Sequence, residues 1–202
     1  MEKILLAAGE IFAEKGYKNV TVREICARAG VNVAAINYHF GDKESLYKEV
    51  VMRWEEEAFS KYPLEPDAAR SASPEERLTT FVRSFLLRML DEGSPSWFGK
   101  LVAREFIEPT AALDMLVEDA IRPSYLLLSS IIREIMGNVA SEEDIRLCSA
   151  SIVGQCLYFH NSRPVLNKLY GSDNPKPADT ERIAEHIARF SIAAMRALAF
   201  KK

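Results

Sequence analysis

The chain is poor in the residues that punctuate β-structure and staple extracellular folds: 202 residues hold nine glycines, nine prolines and three cysteines. Three cysteines (Cys26, Cys148 and Cys156) are an odd number without metal-ligand spacing. That excludes a disulfide framework and a thiolate metal site, and it suits buried thiols in a reducing compartment, with a redox switch as the less common role. No apolar run approaches the roughly 20 residues a membrane-spanning helix needs. The first segment, MEKILLAAGEIFAEKG, is interrupted by Glu10 and Glu14 and has helical spacing, unlike a signal peptide. A cytoplasmic protein is expected. Strand-like alternation and fixed-period repeats are absent.

Chemistry is also scarce. The sequence lacks a Gly-x-Ser-x-Gly elbow, a phosphate-binding glycine loop and a His-Glu-x-x-His motif. Its three histidines, His39, His160 and His186, stand apart from any plausible ligand set. We therefore expect no enzyme, cofactor or metal. The net charge of −3 gives no whole-chain basic excess of the kind that marks many nucleic-acid binders. Up to Lys48, seven basic residues face six acidic ones, so the head is slightly less acidic than the rest.

What is present is helix, with an apolar fraction of 48%. Ile4, Leu5, Ala8, Ile11 and Phe12 form a stripe that Gly16 ends. Thr21-Val-Arg-Glu24 is a capping box, Gly30 closes the helix it opens, and Asn32 caps the next, which ends near Phe40-Gly41. Asp42 starts a fourth helix running to about Tyr62, and residues 63–74 read as a linker. Further helices are expected at about 75–92, 97–107, 110–136 with a kink at Pro123, 142–162 and 180–200. Breaks fall at 93–96, at Arg163-Pro164 and at 171–179. The reading is all-α with about nine helices. A three-helix head spans 1–48, and a larger ligand-binding and dimerising body spans 49–202.

Two short helices about a glycine turn are the geometry of a helix-turn-helix. At about 100° per residue, Ile36 and Phe40 face the head's core while Val33, Ala34 and Asn37 share another face. Small Val33 and Ala34 suit thymine methyls, and the Asn37 amide suits adenine. Tyr38 and His39 at the helix end, Lys43 beyond it and the Thr21 helix terminus are donors suited to phosphate. Many helical proteins that never touch DNA contain such a turn, and a helical adaptor or interaction protein is the alternative from another class. An adaptor has no reason to gather Asn37, Tyr38, His39 and Lys43 beside a capped helix bearing Arg23.

The segment 3–50 resembles the DNA-binding head of the TetR family of transcriptional regulators. The resemblance rests on Thr21, Ile25, Ala29-Gly30-Val31, His39-Phe40, Lys43 and Leu46, with Ala7-Ala8, Phe12, Gly16 and Tyr17 upstream. It implies that Arg23, Val33, Ala34 and Asn37 face bases and that Thr21, Tyr38, His39 and Lys43 face phosphates. Asn37 stands where the family usually has Tyr, and the recognition helix carries no Arg or Lys, so tight binding should need a dimer. The body is similar to a CecR-like branch in REFIEPTAALDML (104–116), SIVGQCLYFHNSRPVL (151–166) and AEHIARFSIAAM (184–195). The TetR-like head and the long helix from Asp42 imply repression at a pseudo-palindromic operator and release by a small molecule, and the CecR-like body implies control of membrane-transport or drug-efflux genes.

The two closing helices, 142–162 and 180–200, carry small residues suited to a homodimer interface: Ser149, Ala150 and Gly154, and Ala184, Ala188, Ala193 and Ala194. For an apolar or aromatic effector, candidate walls are Trp97, Phe98, Phe106, Tyr125, Tyr158 and Phe159, with Arg104 and Gln155 as polar partners. Each of these aromatics is also an ordinary core residue by type. Arg104 and Glu105 read equally as a salt bridge or solvated face. Gln155, inside an apolar run, requires a buried partner or an interface.

Overall fold

The computed structural model describes residues 1–90, 97–171 and 179–199. Every regular element among them is helical. In chain order these are α1 (Glu2–Lys15), α2 (Val22–Ala29), α3 (Val33–Phe40), α4 (Lys43–Lys61), α5 (Pro74–Leu90), α6 (Phe98–Ile107) and the short α7 (Ala112–Met115). A π-helical turn (Leu116–Ile121) leads into α8 (Arg122–Met136), followed by α9 (Glu142–Asn161), α10 (Arg163–Tyr170) and α11 (Thr180–Ala199). The expected break at 93–96, most of the loop at 171–179 and Phe200 lie outside the described residues. None of the described helices is long and apolar enough to cross a membrane.

By packing, the chain forms two compact units. The first comprises residues 1–58 with the described part of 92–120. Its core gathers Ile4, Leu5, Ala8 and Phe12 from α1, Ile25 from α2, Ile36 from α3 and Leu46, Tyr47 and Val50 from α4. Burying each such large side chain stabilises the unit by about 1.5–3 kcal/mol. Phe12 meets Tyr47 edge-on at 4.8 Å, and Tyr17 lies 5.0 Å from Tyr47. Segment 97–120 adds a further layer through Trp97, Phe98, Leu101, Ala112 and Leu116.

The capping box of α2 forms as its spacing requires. Thr21 Oγ1 accepts from the Glu24 N–H at 3.3 Å, and the Thr21 N–H donates to Glu24 Oε2 at 2.8 Å. Lys15 donates to the other carboxylate oxygen at 2.7 Å. That bond from Lys15, with those from Thr21, holds the Glu24 carboxyl down at about 2. The folded state thus binds the Glu24 proton less readily than the unfolded chain does. Its stabilising contribution is present above the ordinary carboxylate range and is lost as pH falls through about 2. Glu24→Gln should therefore flatten the acid side of a plot of urea midpoint against pH; an unchanged acid limb would show that other groups set it.

The second unit comprises residues 59–91 and 121–202 as far as they are described. α5 lies against α11 and α8, and α9 packs on α5, α8 and α11. Leu78, Phe81, Val82 and Leu86 meet Leu128, Ile131, Ile132, Ile145, Ile152, Ile183 and Ile187 in its core. Arg77 is clamped between Glu65 and Glu134, each at 2.7 Å. Arg88 lies 4.1 Å over the Phe59 ring. The kink expected at Pro123 appears as the π-helical turn just before it. Proline lacks the N–H an unbroken α-helix would need, and the widened turn absorbs the mismatch. α9 ends at Asn161, just before Arg163-Pro164 as expected, and Pro164 sits in the first turn of a further helix, α10, where a missing N–H is harmless.

All three thiols are buried and free, and burial pushes Cys156 up to about 12. A thiol held protonated in this way is a poor nucleophile, so packing accounts for the Cys156 side chain.

Candidate nucleic-acid interface

α3 is held by what lies behind and before it. Ile36 is fully buried, and Val31 and Phe40 pack half-buried against the same core. Gly30 ends α2 in the left-handed conformation, φ 67° and ψ 37°, which a side chain would strain. The Val31 N–H then donates to the Cys26 carbonyl at 3.0 Å, and Asn32 Oδ1 caps α3 by accepting from the Ala35 N–H at 2.9 Å. Both ends of the turn are thereby fixed by local chemistry that the sequence displays.

With Ile36 turned inward, Val33, Ala34, Asn37, Tyr38 and His39 are all exposed, Tyr38 by 85%. The Tyr38 and His39 rings meet edge-on at 5.1 Å. Among the described residues nothing engages the Asn37 amide or the Arg23 guanidinium, so both keep their full hydrogen-bonding capacity. The five positions expected on the outer side of α3 are thus brought together on one surface.

Two of the expected phosphate donors are already employed. The Thr21 N–H and hydroxyl both donate to Glu24 Oε2 at 2.8 Å. A phosphate there must open the capping box and approach a carboxylate. Lys43 Nζ donates to the Tyr17 and Val20 carbonyls, both at 3.0 Å, and lies 4.2 Å from the Tyr17 ring centroid. It fastens the turn between α1 and α2 with two of its three N–H groups. Arg28 is likewise drawn to Glu14 at 3.2 Å and Glu10 at 3.6 Å. Lys18, passed over in the sequence, is exposed in that turn with no partner among the described residues. Nothing local in the sequence separates it from the lysines that fold inward.

The residues expected around an effector scatter. Trp97 packs edge-on to Trp54, centroids 5.6 Å apart, and a Cβ on Gly9 would overlap its indole. Trp97 and Phe98 are therefore core of the first unit rather than cavity wall. Arg104 is neither a salt bridge nor a solvated side chain: its guanidinium caps α1, donating to the Ala13 carbonyl at 3.0 Å and the Glu14 carbonyl at 2.9 Å. Glu105, 1% exposed, accepts from Tyr47 Oη at 2.5 Å and from the Thr110 N–H at 3.0 Å. Phe106, Tyr125 and Tyr158 are exposed. Gln155 finds the buried partner its position requires, donating from Nε2 to Ser191 Oγ at 3.3 Å. Phe159 packs half-buried on the second core and borders an open groove of about 300 Å³ with Arg182, Ile183, His186 and Arg189.

Residues 4–50 match the family model for bacterial regulatory proteins of the tetR family. Residues 74–195 match the model for the C-terminal domain of the HTH-type transcriptional dual regulator CecR. CecR of Shigella flexneri is 30% identical over 167 residues, which cover 78% of this chain and 74% of its own. The HTH-type transcriptional repressor BepR of Brucella suis biovar 1 is 42% identical over 52 residues, 26% of this chain and 25% of its own. In fold alone, the chain resembles the transcriptional regulator FadR of Bacillus subtilis, solved in complex with stearoyl-CoA. That likeness has a TM-score of 0.70 at 18% identity, over 95% of this chain and 97% of that one. With its head and its body each matched, and a relative aligned along most of its length, the chain belongs to the TetR family of transcriptional regulators, with a CecR-type C-terminal domain.

Proposed function

We propose that this regulator is a cytoplasmic, ligand-responsive repressor. It binds a pseudo-palindromic operator as a homodimer and is released by a small apolar or aromatic molecule. By role, residues 1–48 read DNA, while 49–202 sense the effector and dimerise through α9 and α11. Its target genes are those of membrane transport and drug efflux, a reading that rests on the CecR-type body. The observation that carries the proposal is the outward face of α3. Val33, Ala34 and Asn37 are exposed on a helix fixed by buried Ile36 and the Asn32 cap, a rigid surface of short side chains fit for base edges. Two such helices about 34–36 Å apart would enter successive major grooves.

The roles divide by atom. Asn37 offers an amide that pairs with adenine through two hydrogen bonds; Arg23 offers a fork for guanine. Tyr38, His39 and Lys18 offer donors that hold phosphates without reading sequence. Lys43 contributes charge while securing the turn. With few free cations per protomer, the salt slope per protomer should be shallow. Effector binding acts by changing how the two heads are held, and a coupling of about 1–3 kcal/mol lowers operator affinity 5–150-fold.

Gel shifts with the DNA upstream of the gene, and with a selected pool of duplexes, test the reading. A salt-sensitive, sequence-selective complex is expected, and its absence from both would sink it. Asn37→Ala should erase discrimination worth about 1–3 kcal/mol at one base pair in each half-site. Tyr38→Phe, altering only an exposed hydroxyl, should weaken all sequences alike. Equal weakening of every duplex by both changes would show that the base and phosphate roles are misassigned.

A further inference from the structure

Two buried hydroxyls in the second unit have no hydrogen-bond partner among the described residues: Ser129 Oγ on α8 and Ser149 Oγ on α9. Ser129 is 2% exposed and Ser149 3%. Ser149, Ala184 and Ala188, expected at a homodimer interface, are all buried within the chain. A buried hydroxyl without a bond has lost what water gave it, and such groups are rare in folded proteins. A serine or threonine on a helix has an easy remedy, a bond to a carbonyl one turn back. Thr79 takes it, donating to the Glu75 carbonyl at 2.9 Å, and Ser130 donates to the Leu127 carbonyl at 2.8 Å. Buried Ser191 is served by Gln155. Ser129 and Ser149 make no bond of either kind. Alanine at either place would suit the helix better and strand no oxygen.

The two oxygens belong to one seam. α8 and α9 pack on each other and are joined by residues 137–141, so they run antiparallel. Their facing sides are marked by an ion pair near the connection, where Arg133 Nη2 donates to both Glu142 carboxylate oxygens at 2.8 Å. Ser129 lies one turn along α8 from Arg133, on the same side of the helix. Ser149 lies two turns along α9 from Glu142, again on the same side. Both steps lead away from the connection, so both hydroxyls enter the same α8–α9 contact. Gln155, which bonds to α11, stands about 120° round α9 from Ser149. The seam is otherwise apolar. Ile132 and Met136 follow Ser129 by three and seven positions, Ile145 and Ile152 flank Ser149 by four and three, and all four are buried. No charged side chain is buried among the described residues of the second unit.

These surroundings define a guest. It is uncharged, because the seam offers nothing to balance a charge. Its body is apolar, to match the isoleucines and Met136. Its polar atom is an acceptor: each serine hydroxyl has a proton to donate, and a carbonyl oxygen has two lone pairs, one for each. We propose that Ser129 and Ser149 anchor the effector by donating to its carbonyl oxygen, and that the effector is an uncharged carbonyl compound such as a ketone or ester on an apolar or aromatic body. The proposal rests on the ligand-responsive reading above and adds the anchor and the chemical class.

Calorimetric titration of the full chain with acetophenone, and with ethylbenzene, its counterpart without the oxygen, tests the anchor. Wild type should bind acetophenone at least about 10-fold more tightly, and Ser129→Ala combined with Ser149→Ala should bring the two within about 3-fold. Without a probe, the double variant should unfold at a higher urea midpoint than wild type, because it buries no stranded oxygen. No preference for acetophenone in wild type, or a preference that survives in the double variant, would overturn the anchor. So would a lowered midpoint with no acetophenone bound, the mark of a buried water only. Gel shifts separate the anchor from the wider reading, with neutral carbonyl compounds, carboxylic acids and amines added to the DNA complex of each protein. Release of wild type by a carbonyl compound, lost in the double variant, is expected. Release of both proteins alike by an acid or an amine would overturn the anchor and leave ligand-responsive regulation standing. Acetophenone bound at the serines with no compound releasing DNA would keep the site and overturn the ligand response.

Discussion

Trp97→Ala should destabilise the first unit by about 3–5 kcal/mol, enough to unfold a marginal head. The indole is the far wall of that core: it stands edge-on to Trp54 and covers Gly9, whose hydrogen is the only substituent the space admits. The same contact read from the other side gives a second result. Gly9→Ala forces a methyl into the ring and should cost about 1–3 kcal/mol by overpacking, although alanine is the better helix residue. The two changes should not add. In the Trp97→Ala background the methyl enters the vacated space, so the double variant should lie within about 1 kcal/mol of Trp97→Ala alone, a coupling typical of residues in contact. Urea denaturation followed by circular dichroism measures all four corners of this cycle. Strict additivity would show that Gly9 and Trp97 do not share the space assigned to them.

Glu105→Ala should be comparably damaging. The carboxylate is nearly inaccessible and serves the Tyr47 hydroxyl on α4 together with the Thr110 N–H and hydroxyl beyond α6. Removing it orphans buried donors at about 1–3 kcal/mol each. Tyr47→Phe takes away a single charge-assisted bond and should cost about 1.5–3 kcal/mol. It has a further signature in alkali. Burial, then the bond to Glu105, pushes the Tyr47 phenol above its ordinary value. The folded protein holds this proton more tightly than the unfolded chain, so the contribution is intact below the ordinary phenol range and lost as pH rises beyond it. Tyr47→Phe should remove that part of the alkaline decline in urea midpoint. An unchanged alkaline limb would show that Tyr47 ionises freely in the folded protein.

These two sites also mark where sequence reading succeeds and where it stops. The Thr21–Glu24 box, the Asn32 cap and the Gly30 turn are written within three or four residues of one another, and each forms. The inward Ile36 and outward Asn37 follow from helical periodicity once those ends are placed. The Ser73–Glu76 box that starts α5 is equally local, but its Ser73 fell in the segment read as linker. By contrast, Trp97 meets Gly9 and Glu105 meets Tyr47 across most of a hundred and of sixty intervening residues. No local pattern says that a short aromatic helix will serve the head's core rather than line an effector cavity. α10 escapes sequence reading for a different reason: the Pro164 that marks the end of one helix also suits the first turn of the next.

The pairing of Trp54 with Trp97 has an optical consequence. The chain holds two tryptophans, and both are buried in the first unit. Indole emission from this protein is therefore a report on the first unit alone, blue-shifted and shielded from aqueous quenchers while that unit is folded. An added molecule that changes this emission has altered the surroundings of the two indoles, and the change is read with no dye and no DNA in the cuvette.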